Sequence, residues 1–138
     1  MAKAFVQRDT AVTGKYYVEA EGGSGGGGGV SYSTEEQDTG LTWIDGKKIY
    51  QKTVEFGTLP NASSKEVAHD IVGFETIWIK EFICVGSNDY YTILPYVLMS
   101  AGTHGGELYL HDGKIHVTVD GNFSSYTGYC TICYTKIE

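Results

Sequence analysis

Glu107 to Val119 read "ELYLHDGKIHVTV". Asp-Gly is the dipeptide best suited to a two-residue hairpin turn, because both turn positions need a positive φ. A turn at Asp112-Gly113 sets His111 opposite Lys114, Leu110 opposite Ile115, Tyr109 opposite His116 and Leu108 opposite Val117. The leucines, Ile115 and Val117 then share one face, while histidine, lysine and tyrosine share the other. A slip of one residue would scramble both faces, so pattern and turn specify the same register. This stretch predicts an antiparallel hairpin with one buried side.

The same grammar recurs through the chain. Short apolar or alternating runs at 48–56, 65–69, 76–85, 92–100, 107–111, 114–120 and 126–136 are separated by turn signals. These signals are Asp-Gly at 45–46, 112–113 and 120–121, "LPN" at 59–61 and "GSND" at 86–89. No long 3.6-residue periodicity competes with them. In "TWIDGKKIYQK" a two-residue turn would set Trp43 against Lys48. A four-residue turn, Asp45 to Lys48, instead pairs Ile44 with Ile49 and Trp43 with Tyr50, and is preferred. "STEEQ" within Ser33 to Asp38 carries a cap and early acids, which predict a short helix. The fold class expected is all-β: an antiparallel β-sandwich, jelly-roll-like.

Composition agrees. Eleven tyrosines, five phenylalanines and two tryptophans, with only two prolines, favour strands and supply a core. The net charge of −7 is uneven. Lys3, Arg8 and Lys15 balance Asp9, Glu19 and Glu21 in residues 1–21, and the remainder is strongly acidic. Such a surface lacks the clustered cations that nucleic acid or an anionic membrane requires, so neither is an expected partner. No stretch has the length of a secretory h-region or a membrane span.

Residues 21–30 read "EGGSGGGGGV", with seven of the 19 glycines of the chain. A glycine run builds no core and usually joins two parts that must stay attached. The expected organisation is an N-terminal segment at 1–21, a glycine-rich linker at 22–29 and a folded module at 30–138. Phe5, Val6, Val12, Tyr16, Tyr17 and Val18 give the first segment an apolar character, yet it is too short for its own core. It must dock on something, and these six are its candidate anchoring residues.

Motifs for chemistry are scarce. Cys130 and Cys133 form a C-x-x-C string, but three residues along a strand turns two side chains to opposite faces. They are expected as buried, reduced thiols and not as metal ligands. His111 and His116 share a hairpin face, yet no third ligand accompanies them, so no metal is predicted. "THGGE" at 103–107 reads as a turn, since no G-x-S-x-G elbow accompanies it. No phosphate-binding glycine loop is present, and no cofactor is expected. The acids fall in turns and at strand edges, which does not predict the paired carboxylates of a glycosidase. Tyr90, Tyr91 and Tyr96 are the candidate platform for stacking on sugar rings.

Three stretches carry a family resemblance: "YSTEEQDTGLTWIDGKKIYQKTVEFGTLPN" at 32–61, "KEVAHDI" at 65–71 and "SSYTGYCTICYTK" at 124–136. "TWIDGKKIY", "GTLPN" and "SYTGY" are the most specific parts. Together they resemble the C-terminal β-rich module of fibre and tail-associated structural proteins of tailed bacteriophages and prophages. The resemblance implies a homotrimeric head on the virion surface, made and assembled in the host bacterial cytoplasm. It carries no catalytic residues, so an enzyme is not expected. With no extended shaft before the module, a short head fibre or capsid decoration is favoured over a long tail fibre. Residues 1–21 would then anchor on the capsid or another virion protein, the glycines would form the joint, and the head would bind host-surface glycans. The alternatives are a small depolymerase-like carbohydrate-active tail domain and a capsid-stabilising decoration protein without a receptor.

Overall fold

The computed structural model of the chain describes residues 30–87, 90–98 and 104–138. Side-chain environments are described for these residues apart from 96–98 and 104. The anchor candidates Phe5, Val6, Val12, Tyr16, Tyr17 and Val18, and the glycine run, lie outside the described residues.

The described chain is all-β, with nine strands in two antiparallel sheets. In chain order these are β1 (Gln37–Thr42), β2 (Lys48–Thr58), β3 (Ser64–Ala68), β4 (Phe74–Val85), β5 (Tyr91–Leu94), β6 (Tyr96–Leu98), β7 (His104–His111), β8 (Lys114–Val119) and β9 (Thr127–Lys136). One sheet has the order β1-β2-β9-β4-β5 and the other β3-β8-β7-β6. The sheets meet in a sandwich-like arrangement around one core. Phe56, Phe82, Cys84, Leu94, Cys130, Ile132 and Tyr134 come from the first sheet, and Ile115, Val117 and Val119 from the second. Such alternation of inward apolar and outward residues is what period-two strands provide.

The β7–β8 hairpin has the register read from its sequence, from His111↔Lys114 through Leu108↔Val117. Asp112 and Gly113 have φ of 52° and 73°, as a two-residue turn with both positions left-handed requires. Val117 and Ile115 are fully buried.

Four expectations fail; the first is the turn at 103–107, where His104 to Glu107 belong to β7 and pair with β6 and β8. No helix forms at 33–38: the Glu35 N–H is taken by the Ser33 hydroxyl at 3.0 Å, and Gln37 already begins β1. The polar residues that suit a helix cap also suit such a turn. The β1–β2 connection has neither Ile44 opposite Ile49 nor Trp43 opposite Tyr50. Thr42 pairs with Lys48, the Trp43 N–H donates to the Lys47 carbonyl at 2.8 Å, and Gly46 sits at φ 89°. This is a three-residue loop closed by a left-handed glycine. Trp43 stacks instead on Trp78 of β4, at 4.7 Å between centroids, leaving Ile44 exposed. The strand expected at 92–100 is two strands: β5 belongs to one sheet, and after Pro95 the chain enters β6 of the other.

Packing is tightest where β9 passes Phe82. The Phe82 ring is fully buried and meets Phe56 edge-on at 5.2 Å. A methyl group on Gly128 would lie 2.6 Å from two carbons of that ring. Gly128→Ala is therefore expected to destabilise the fold by about 1–3 kcal/mol, the usual cost of overpacking a dense core. Adding Phe82→Leu should recover part of the loss. Chemical denaturation of the single and double variants measures both, and additive losses would contradict the clash.

Candidate functional site

Tyr134 and Lys136 lie two residues apart near the end of β9, so both face the same side of the sheet. The Tyr134 ring is buried and stacks on Tyr50 at 6.0 Å between centroids. Its hydroxyl donates to Glu36 Oε2 at 2.6 Å, while Lys136 Nζ donates to Glu36 Oε1 at 2.7 Å. The ammonium also sits 4.2 Å from the centre of the Tyr50 ring. The turn at Ser33 brings Glu36 here, to a point far along the sequence from both partners.

Burial pushes the Glu36 carboxyl up, but the hydrogen bonds from Lys136 and Tyr134 outweigh it and hold the group below the ordinary value. Burial, with the Glu36 carboxylate second, drives the Tyr134 hydroxyl far above its usual range. A hydrolytic general acid needs a carboxyl held up near neutrality. Glu36 is held down, so it is suited to accepting hydrogen bonds and not to donating a proton.

This trio forms one side of a cleft of about 450 Å³. Glu35, Lys52, Asp70, Val72 and Ile137 complete its rim and walls. The walls are tied together by backbone: the Ile137 N–H donates to the Gly73 carbonyl at 2.9 Å, and Phe74 pairs with Lys136. Behind the Asp70–Gly73 wall stands His69, buried and edge-on to Phe74, with Nδ1 accepting the Ile71 N–H at 3.0 Å. Burial lowers the His69 pKa below 6.5, opposed by Asp70 and aided by the positive charge of Lys52. The neutral ring thus carries its proton on Nε2 and leaves Nδ1 free to accept.

Sequence reading missed this cleft. Glu35 and Glu36 entered only as the early acids of a predicted helix, and nothing local links them to Asp70 or to β9. The tyrosine platform is scattered by the fold. Tyr90 and Tyr91 are each 66% exposed, but as sequence neighbours at the start of a strand they face different ways. Tyr96 lies across Pro95 in the other sheet, and its side chain is outside the described set.

The remaining candidates stand as follows. The His111 and His116 rings are 5.9 Å apart and tilted. His116 approaches Glu66 through Nδ1 at 3.3 Å and the His111 carbonyl through Nε2 at 3.1 Å, so both its nitrogens are occupied. Cys84, Cys130 and Cys133 are free and buried, and burial pushes the Cys84 and Cys130 thiols up to about 11 and about 12. Such thiols are inert packing groups. Among the described residues no cluster of three or more metal-ligating side chains occurs, and no helix is long and apolar enough to cross a membrane.

No family model, curated protein or solved structure matches the chain.

His69 makes the cleft wall sensitive to acid in a stated direction. Its folded pKa lies below the unfolded value, so its contribution is fully present above about pH 6.5. That contribution is lost as pH falls from there through the lower folded value, because the unfolded chain takes the proton more readily. Thermal unfolding between pH 7 and pH 5 should show this decline. His69→Asn keeps an acceptor beside the Ile71 N–H and should flatten it. An unchanged slope in the variant would remove His69 from the account.

Proposed function

We propose that this chain is a non-catalytic assembly and attachment head: a bacteriophage virion structural protein, displayed on the particle surface as a homotrimer. A short head fibre or capsid decoration is favoured over a tail fibre. Residues 1–21 anchor on a capsid or other virion protein, and the glycine run at 22–29 is the joint. The motifs "TWIDGKKIY", "GTLPN" and "SYTGY" support the phage part of this reading. We further propose a jelly-roll-like head, since the chain passes from one sheet to the other between β2 and β3, β3 and β4, β5 and β6, and β8 and β9.

The observation that carries the assembly part is the condition of the sheet edges. Edge strand β1 is guarded: its register breaks between Asp38 and Thr42, and Asp38 is paired with Lys48 at 3.1 Å. Edge strand β3 bears Lys65 and Glu66, the latter paired with Lys114 at 3.1 Å. Edge strand β5 carries no charge, and Tyr91 and Ile93 are 66% and 62% exposed. Register aligns Ile93 with Ile83 and Ile83 with Tyr129, so an apolar row crosses three strands on the outer face. Folded proteins blunt lone edges with charge or bulges, and an uncharged apolar edge suits a strand covered by another copy.

The occupant of this edge is taken to be a second copy of the chain, and threefold closure would cover the β5 edge of every copy.

Sedimentation of the full chain at micromolar concentration tests this. The expected mass is about three times the 15.1 kDa of one chain. Ile93→Glu places a carboxylate in the contact and should weaken association by about 100-fold or more, with the strand signal in circular dichroism kept. A wild-type chain that sediments as a monomer would overturn the assembly reading.

A further inference from the structure

We infer that the cleft around Glu36 is a binding site for a neutral pyranose sugar of a surface glycan. The inference deepens the attachment part of the proposed function and rests on it, but it assigns the ligand to the cleft and not to Tyr90, Tyr91 and Tyr96.

The argument begins with the carboxylate. An ionised carboxyl has about four acceptor positions. Glu36 uses one on each oxygen, for Tyr134 and for Lys136. Two directed positions remain, one per oxygen, and they suit two neighbouring hydroxyls of a sugar ring. Both existing bonds fix the carboxylate before any ligand arrives, which lowers the ordering cost of binding. Lys52 Nζ makes one long bond, 3.4 Å to the His69 carbonyl, and its charge reaches Glu36. It is the donor available to a ring or hydroxyl oxygen.

The apolar part of the cleft fits the other aspect of a pyranose. Val72 and Ile137 are 85% and 64% exposed on its rim, with buried Ile71 behind them. Two aliphatic side chains held beside a charged hydrogen-bonding group match a ring that has C–H groups on one face and hydroxyls at its edge. A cleft of about 450 Å³ is within the range of small-ligand sites and admits one or two sugar residues.

Charge narrows the class. Glu35, Glu36 and Asp70 outnumber Lys52 and Lys136 around the cleft. An acidic sugar or a phosphate would meet net repulsion, which counts against an anionic ligand.

The test uses the full chain, labelled with nitrogen-15, and four probes: D-glucose, D-galactose, D-mannose and N-acetyl-D-glucosamine. At least one should shift the amide signals of Val72, Gly73 and Ile137 with a dissociation constant of about 1–10 mM, ordinary for a single small polar ligand. Glu36→Ala should weaken that titration at least about tenfold, the effect of losing one charge-assisted contact. Val72→Lys changes an exposed rim residue, leaves the fold intact and should also abolish the shifts. Absence of cleft shifts with all four sugars, shifts confined to Tyr90 and Tyr91, or cleft shifts that survive both variants would overturn the assignment. Those outcomes leave the sedimentation result untouched, and a monomeric chain would leave the titration untouched, so the two readings fail separately.

Discussion

From Cys130 to Thr135 strand β9 is buried on both faces, and the rest of the molecule answers to that constraint. Its inner row, Cys130, Ile132 and Tyr134, is apolar and joins the common core. Its outer row, Thr131, Cys133 and Thr135, is polar and equally buried. Buried hydroxyls must be paired or they oppose folding. The Thr131 hydroxyl meets Thr53 at 3.0 Å, and Thr135 Oγ1 accepts the Thr76 N–H at 3.2 Å. Cys133 faces Gln51, whose side-chain oxygen in turn accepts from Lys80 at 3.0 Å. These pairings fasten β9 to β2 on one side and β4 on the other, and they work in only one register. A slip of one residue would put threonines into the core and leave the aliphatic row facing polar partners.

That central strand also explains the loops around it. Trp78 of β4 lies beside Cys133 in the register, and Trp43 stacks on it from the β1–β2 loop. Tyr32 reaches Glu81 on the same outer face, and this hydrogen bond raises the tyrosine pKa. The Ser33 carbonyl accepts the Thr53 N–H at 2.8 Å, which lays the start of the folded module along β2. A helix at 33–38 would have withdrawn this cover from the buried polar row. The turn that replaces the helix is the same turn that carries Glu36 to Tyr134 and Lys136.

How much of this the sequence disclosed depends on the range of each contact. The β7–β8 hairpin was legible from Glu107 to Val119, because its turn and its alternation lie within thirteen consecutive residues, whereas His104 to Gly106, read as part of a turn, extend β7 to meet β6. The opposed facing of Cys130 and Cys133 followed from strand geometry alone. Trp43 could not be placed from its neighbours, since its partner is on β4 and not on the hairpin it belongs to. Ser33 to Asp38 offered a polar cluster that fits a helix cap and a turn equally well, and only the demand of β2 for cover decides between them. The cleft was least legible. Glu36, Asp70 and Lys136 come from three separated segments, and no spacing rule connects them.

The positions of the two proposed surfaces follow from the same strand. Tyr129, in the apolar outer row, and Lys136, at the cleft, are at opposite ends of β9, about 20 Å apart at the rise of an extended chain. They also occupy opposite faces of the five-stranded sheet, as Cys130 and Tyr134 alternate with Tyr129 and Cys133. Contacts between copies through Ile93, Ile83 and Tyr129 would therefore leave Glu36, Val72 and Ile137 open. In the proposed division one face of the sheet would assemble the head and the far end of the other face would present a site in every copy. Repetition then matters more than strength at each site. A millimolar contact made several times by linked copies gains effective concentration at every step after the first. Weak, polar clefts would be adequate for the proposed attachment once an edge strand at the far end of the sheet had brought the copies together.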